Sequence, residues 1–215
     1  MKKIISFSLW GNDSKYTIGA IRNAELSPSV YPGWICRFYV GKSTDYKIKE
    51  KLKQFSHVEV LEINEEGDWT GMFWRFYPAS EEDVAVMISR DCDSRLSERE
   101  KLAVDEWLNS EKGFHIMRDH PYHNTAILGG MWGVKKGVLP EMKKLIDGYI
   151  KGSFWQVDQN FLREIIYPLI KNNSLVHDEF FEKKLFPKPR KPLYFVGQAF
   201  DANDNFLYIE HTKLI

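Results

Sequence analysis

At 215 residues, 43% hydrophobic and 28% charged, the chain can bury a sizeable core under a wet surface, which excludes a disordered or fibrous protein. Thirty Lys+Arg balance thirty Asp+Glu, and a zero formal charge argues against a general nucleic-acid or membrane-surface binder. Two cysteines, Cys36 and Cys92, supply neither a disulfide framework nor a zinc spacing.

Residues 4–10 form a β-branched and aromatic run that predicts a strand ending at Gly11-Asn12-Asp13. With Met1-Lys2-Lys3 ahead of it the run imitates a signal peptide, but it holds two serines and no small-residue cleavage site follows. Helical spacing over 16–26 is closed by Ser27-Pro28. Strands at 34–40 and 58–63 then flank a lysine-rich amphipathic helix at 45–55. Residues 84–88 make a short, wholly apolar strand of the kind buried on both faces of a parallel sheet. Ser97-Glu98-Arg99-Glu100 fits a capping box for a helix running to about Asn109, with Gly113 as its stop. A strand at 114–117 and an extended segment at 126–134 follow. Pro140 opens a helix to about Tyr149, and 156–170 predicts a longer one. Residues 175–177 read as a last inner strand, and 193–200 with 206–210 as an outer hairpin. No run approaches the ~20 apolar residues of a membrane span. The order predicts a single α/β domain over 1–215, an α/β/α sandwich on a mainly parallel mixed sheet, expected to be cytoplasmic.

Asp91-Cys92-Asp93 follows the buried strand directly, where open α/β sheets place their ligands. Two carboxylates one residue apart can reach one divalent cation, and hard oxygen donors suit Mg²⁺ or Mn²⁺, which in turn clamp a diphosphate. His177, after Leu175-Val176, is a candidate third ligand and suits Mn²⁺ better. Against this, Asp-x-Asp is a frequent solvated turn, and a histidine at such a position is often structural.

Six ordered segments carry a resemblance. They are Tyr31-Pro32-Gly33-Trp34 with Arg37-Phe38-Tyr39-Val40, Phe73-Trp74-Arg75-Phe76, Ser89-Arg90-Asp91-Cys92-Asp93-Ser94-Arg95, His115-Ile116-Met117-Arg118-Asp119-His120-Pro121, Gly129-Gly130-Met131-Trp132-Gly133 and Val157-Asp158-Gln159-Asn160-Phe161-Leu162. In these the chain resembles GT-A type nucleotide-sugar glycosyltransferases. Within these it is similar to small bacterial glycosyltransferase-like proteins and to the N-terminal domain of a chlorovirus capsid-glycan glycosyltransferase. The resemblance implies a nucleotide-diphosphate donor, UDP-linked by family weight, and a glycan acceptor. It implies a nucleotide site at Leu9, Trp10 and Asn12, with Arg75, Arg90, Asp91 and Gly130 around the donor. Asp119, His120 and Trp132 would meet the acceptor. Asp91, Asp93 and His177 would hold Mn²⁺ or Mg²⁺. Asp158, on a helix, would be the base that takes the acceptor proton in an inverting transfer.

Each residue also has a plainer reading: Trp10 as core, Arg75 as a salt-bridge partner, Arg90 as a loop brace, Asp158 as a helix N-terminal charge. A phosphatase-type hydrolase fits poorly, because the acidic motif follows at least three strands. A nucleotidyltransferase would want a better glycine-rich basic loop than Gly11-Asn12-Asp13-Ser14-Lys15. A binding module of the same fold without turnover stays open.

Overall fold

Seven strands form one sheet in the order β3-β2-β1-β4-β6-β5-β7 in the computed structural model, which describes residues 1–149 and 152–207. β1 (Lys2–Leu9), β2 (Ile35–Val40), β3 (Val58–Glu62) and β4 (Val84–Ser89) are parallel, with β1 between β2 and β4. β5 (Phe114–Arg118) and β7 (Ser174–Asp178) are parallel to each other. β6 (Trp132–Lys135) runs antiparallel to both β4 and β5. The sheet is therefore mixed and mainly parallel, as expected.

Helices cover both faces, which is why β4 reads as an unbroken apolar run over 84–88. On one face Ile5 and Phe7 pack with Ala20, Phe38 and Trp107. On the other, Ile4 and Met87 pack with Phe73, Trp132, Ile146 and Phe161. The first face is capped by α1 (Ser14–Val30), α2 (Tyr46–Lys53) and α3 (Glu98–Asn109). The second is capped by α4 (Met142–Tyr149) and the helix that follows it.

α1 outruns its predicted span at both ends. Asp13 caps its start by accepting the Lys15 amide at 2.9 Å. Pro28 lies inside the helix, and its missing N–H would orphan the Ala24 carbonyl four residues back. His57 Nε2 takes that carbonyl at 2.8 Å, so the helix continues to Val30. The capping box of α3 is half made. Ser97 Oγ accepts the Glu100 amide at 3.4 Å, but the Glu100 carboxylate turns inward to Arg90 and Tyr31.

Four segments depart from the sequence reading. Trp69–Ser80, given no element above, is a 3-10 helix capped by Asp68. Of the extended stretch 126–134, only its end joins strand β6; the rest loops over the strand ends. The long helix at 156–170 is broken in register: α5 (Val157–Phe161) passes through a π turn (Leu162–Ile166) into α6 (Tyr167–Ile170). The shift falls where Pro168 has no N–H to return to the preceding turn. The outer hairpin reduces to an isolated bridge between Phe200 and Phe206, and residues 208–210 lie outside the described residues. Among the described residues no helix is long and apolar enough to cross a membrane.

Candidate active site

The acidic loop leaves β4 and is held in place from behind. Asn23 Nδ2 donates to the carbonyls of Cys92 (3.3 Å) and Ser94 (2.8 Å), and Arg95 donates to the carbonyls of Asp93 and Ser94. The approach to α1 is so close that a Cβ on Gly19 would lie 2.1 Å from the Cys92 carbonyl oxygen. Cys92 is buried, its thiol 3.4 Å from the Ser8 carbonyl, while the flanking carboxylates keep access to solvent. Asp93 Oδ2 lies 3.0 Å from Lys15 Nζ. Burial and the neighbouring Asp91 push the Asp93 carboxyl above its ordinary value, against the pull of Lys15.

Arg75 ties this loop to the far side of the cleft. It sits in the 3-10 helix, where its amide donates to Ser8 Oγ at 3.0 Å. Its buried guanidinium donates through Nη1 to Asp91 and through Nη2 to Asp158 Oδ2 at 2.9 Å. Burial opposes its charge, and the two carboxylates hold it above the ordinary arginine value. Asp158, in the first turn of α5, is 1% exposed. Burial, with Asp91 nearby, raises its carboxyl even though Arg75 pulls the other way. Asp158 Oδ1 and Arg75 Nε are buried without a hydrogen-bond partner among the described residues. Of the buried polar atoms left without a partner among the described residues, these two belong to side chains paired with each other in the cleft, and each calls for an explanation such as a catalytic role or a bound group.

Two glycines let the loop before β6 close on this cluster. A Cβ on Gly130 would fall 2.0 Å from Asp91 Oδ2, and one on Gly129 2.3 Å from Asp158 Oδ2. Ser89 Oγ donates to the Gly129 carbonyl at 2.7 Å and fixes the approach. Beside the cluster a cavity of about 300 Å³ opens off the carboxyl ends of β1 and β4. Ser8, Trp10, Asn12, Trp69, Arg75 and Asp91 line it, and Leu9 contributes from its otherwise buried position. Trp10 meets Trp74 edge to face, ring centroids 6.0 Å apart, and packs on Gly67. Asn12 Oδ1 accepts the Asp45 amide at 2.7 Å, anchoring the loop after β1.

Leu9, Trp10, Asn12, Arg75, Asp91, Asp93, Gly130 and Asp158 are thus brought to one cleft. Five other candidates are not. Arg90 is buried against Glu100 (3.0 Å), which also accepts the Tyr31 hydroxyl, so it braces the core beneath the loop. Trp132 is fully buried and stacked on Phe114 at 5.2 Å. Asp119 is fully buried and paired with Arg99, and His120 is buried against Phe195. His177 points towards α3, its Nδ1 2.8 Å from His115 Nε2 and its Nε2 3.6 Å from Glu106. Among the described residues no group of three or more His, Cys, Asp or Glu gathers in metal-binding geometry, so His177 does not complete the acidic pair. Asp91 and Asp93 by themselves still suit Mg²⁺ or Mn²⁺, which commonly take one or two carboxylates and fill the remaining positions with water and phosphate oxygens. Sequence reasoning passed over Lys15 and Trp69. Lys15 was visible as the base just after the first strand, whereas Trp69 lay in a segment given no element.

No family model matches the sequence, and no curated protein matches it. Solved structures do. A glycosyltransferase involved in glycosylation of the major capsid of PBCV-1 superposes with a TM-score of 0.57 at 16% identity, covering 85% of this chain and 84% of its own. The fold is that of the GT-A nucleotide-diphospho-sugar transferases. A mannosyltransferase from Pyrobaculum calidifontis, in complex with GDP-Man and Mn²⁺, follows at 0.54 and 12% identity; the match takes 83% of this chain and 55% of that one. Glucosyl-3-phosphoglycerate synthase from Mycobacterium tuberculosis, with Mn²⁺, UDP-glucose and glycerol 3-phosphate, gives 0.54 at 11% identity over 89% of this chain and 73% of that chain. At these identities the likeness speaks to the GT-A fold, and the chemistry has to come from the cleft.

Proposed function

We propose that the chain is a metal-assisted glycosyltransferase. It would move a sugar from a nucleotide-diphosphate donor, UDP-linked in our reading, to a glycan hydroxyl with inversion. The observation that carries this is the cluster in which Arg75 spans Asp91 and Asp158 under Gly129-Gly130, at the edge of an aromatic cavity. The GT-A neighbours that hold GDP-Man or UDP-glucose with Mn²⁺ support the class.

In this reading Trp10 and Asn12 border the nucleotide, and Arg75 offers a fork matched to phosphate oxygens. Asp91 and Asp93 are the residues that would hold Mn²⁺ or Mg²⁺, which neutralises charge on the leaving nucleoside diphosphate. Asp158 takes the acceptor proton. Its partnerless Oδ1 is the atom for that step, and burial makes this carboxylate a stronger base than one at the surface. One observation favours a second reading, a nucleotide-sugar binding module without turnover: Arg75 already occupies one oxygen of each carboxylate.

Calorimetric titration of UDP, GDP and their sugars, with Mn²⁺ and with EDTA, tests the site in wild type and Asp93→Ala. Metal-dependent binding lost in the variant is expected. Release of nucleoside diphosphate from the bound donor in the presence of acceptor separates transferase from binding module. Absence of nucleotide binding under every condition would sink both.

A further inference from the structure

Beyond Gly129 a second cavity, of about 320 Å³, lies between the loop that joins β5 to β6 and the start of α5. Tyr122, Asn124, Gln156, Gln159, Asn160 and Arg163 line it. Gln156 and Gln159 bracket Asp158 in sequence, and the cavity shares no lining residue with the nucleotide pocket. None of the four amide side chains is hydrogen-bonded to another described residue.

A primary amide carries two donors and an acceptor with no net charge. Four of them, uncommitted and facing one space, can satisfy hydroxyl groups, which donate and accept at once. A flat face suits the C–H side of a sugar ring, and Tyr122 in the lining is 47% exposed. Phe154 and Trp155, just ahead of Gln156 in sequence, are 44% and 67% exposed. Ser153 Oγ accepts the Trp69 amide at 3.1 Å, which ties this aromatic segment to the wall of the nucleotide cavity.

The charge of the lining selects among ligands. Recognition of a phosphate or carboxylate favours guanidinium or ammonium groups, singly or clustered. Arg163 at the edge is already ion-paired with Glu164 at 3.0 Å. The residues first expected to meet the acceptor are spent elsewhere: Asp119 on Arg99 and the Val196 amide, Trp132 in the core.

We propose that this amide-lined cavity is the acceptor subsite and that it takes an uncharged, hydroxyl-rich saccharide rather than a phosphorylated or uronic one. The identification as acceptor rests on the transferase reading; the chemistry of the ligand rests on the lining alone.

The test uses the full chain on a glycan array holding neutral, phosphorylated and uronic-acid oligosaccharides, with saturation-transfer NMR on the neutral binders. Nucleotide affinity is measured in parallel on wild type and on Gln159→Leu/Asn160→Leu. The expected result is binding to neutral glycans, weakened about tenfold or more in the double variant, with nucleotide affinity unchanged. Binding confined to anionic glycans, or neutral binding untouched by the double variant, overturns the proposal. So does nucleotide binding with no glycan bound, which leaves the transferase reading standing. Glycan binding that responds to the variant without any nucleotide binding keeps the saccharide site and removes the transferase reading. A double variant that also loses nucleotide affinity is replaced by Asn124→Ala, on the facing loop rather than on α5, with the same expected and overturning results.

Discussion

Two of the clusters in which a buried arginine meets acidic side chains are satisfied very differently. At the end of β5, Asp119 accepts from Arg99 through both oxygens (2.8 and 2.9 Å) and from the Val196 amide at 2.9 Å. Next to it, Asp178 accepts from the amides of Phe180, Phe181 and Glu182 and from Arg118 Nε. In the cleft, by contrast, Asp158 has one oxygen on Arg75 and the other on no partner among the described residues, and Asp91 has its Oδ2 against a glycine that leaves it room. A carboxylate whose acceptor sites are used up by the fold is a structural fixture. One left half satisfied costs stability, and it persists where a ligand or a reaction completes it. Both clusters drew attention in the sequence; only the second has the unspent valence that chemistry needs.

Swapping the same charge in the two clusters should separate their roles. Asp158→Asn is expected to lower sugar transfer by about 10²–10⁴-fold, the range for a lost general base, while the thermal midpoint barely moves because Arg75 keeps Asp91. Transfer rates from a metal-loaded assay, set beside calorimetric melting, check this. Undiminished transfer would return Asp158 to the role of helix charge partner. Asp119→Ala should do the opposite. It removes the carboxylate to which Arg99 Nε and Nη2 donate, leaving the arginine Glu179 and the Lys188 carbonyl, and is expected to cost about 1.5–3 kcal/mol of stability, with the nucleotide affinity of the surviving folded protein intact. Urea unfolding reads the loss; a cost near zero would erase the contrast between the two clusters.

What could be read in advance followed from local chemistry. The apolar run of β4 declared a sheet covered on both faces, and Asp91-Cys92-Asp93 stood out because it came straight after that run. The Trp69–Ser80 segment was given no element, although Trp69, Phe73, Phe76 and Tyr77 fall at i, i+4, i+7 and i+8, a helical spacing; it supplies Arg75 and Trp69 to the cleft. The Arg75–Asp158 pair joins residues 83 apart in the chain, and no spacing rule reaches that far. His177 misled for a related reason. Its place after an apolar dipeptide correctly marked a strand, but the face of the sheet its ring would take is set by pairing with β5, which sends it to His115 and α3. Gln159 and Asn160 were visible as polar neighbours of Asp158, and only the loop folded opposite them turns them into the wall of a cavity.

The smallest effect lies in the titration of the histidines near the satisfied cluster. His115 is fully buried, and desolvation, with His177 and Arg90 adding to it, holds its ring well below the ordinary histidine value. His177 is lowered by burial as well, partly offset by Glu106. His123 is brought to about 3 by burial and by His120, with Asp178 opposing. In the unfolded chain all three take up a proton below about pH 6.5, whereas in the folded protein each does so only at a lower pH. The unfolded state therefore binds more protons, and stability falls as pH drops from about 6.5, until His123 itself protonates near 3. Each ring that stays neutral contributes up to about 1.4 kcal/mol per pH unit in that window. Melting from about pH 7.5 to 5 should show a falling midpoint, and His123→Gln should flatten part of the slope. A midpoint constant over that range would mean that these rings charge in place, and the region around β5 and β7 would then be more open to water than its packing implies.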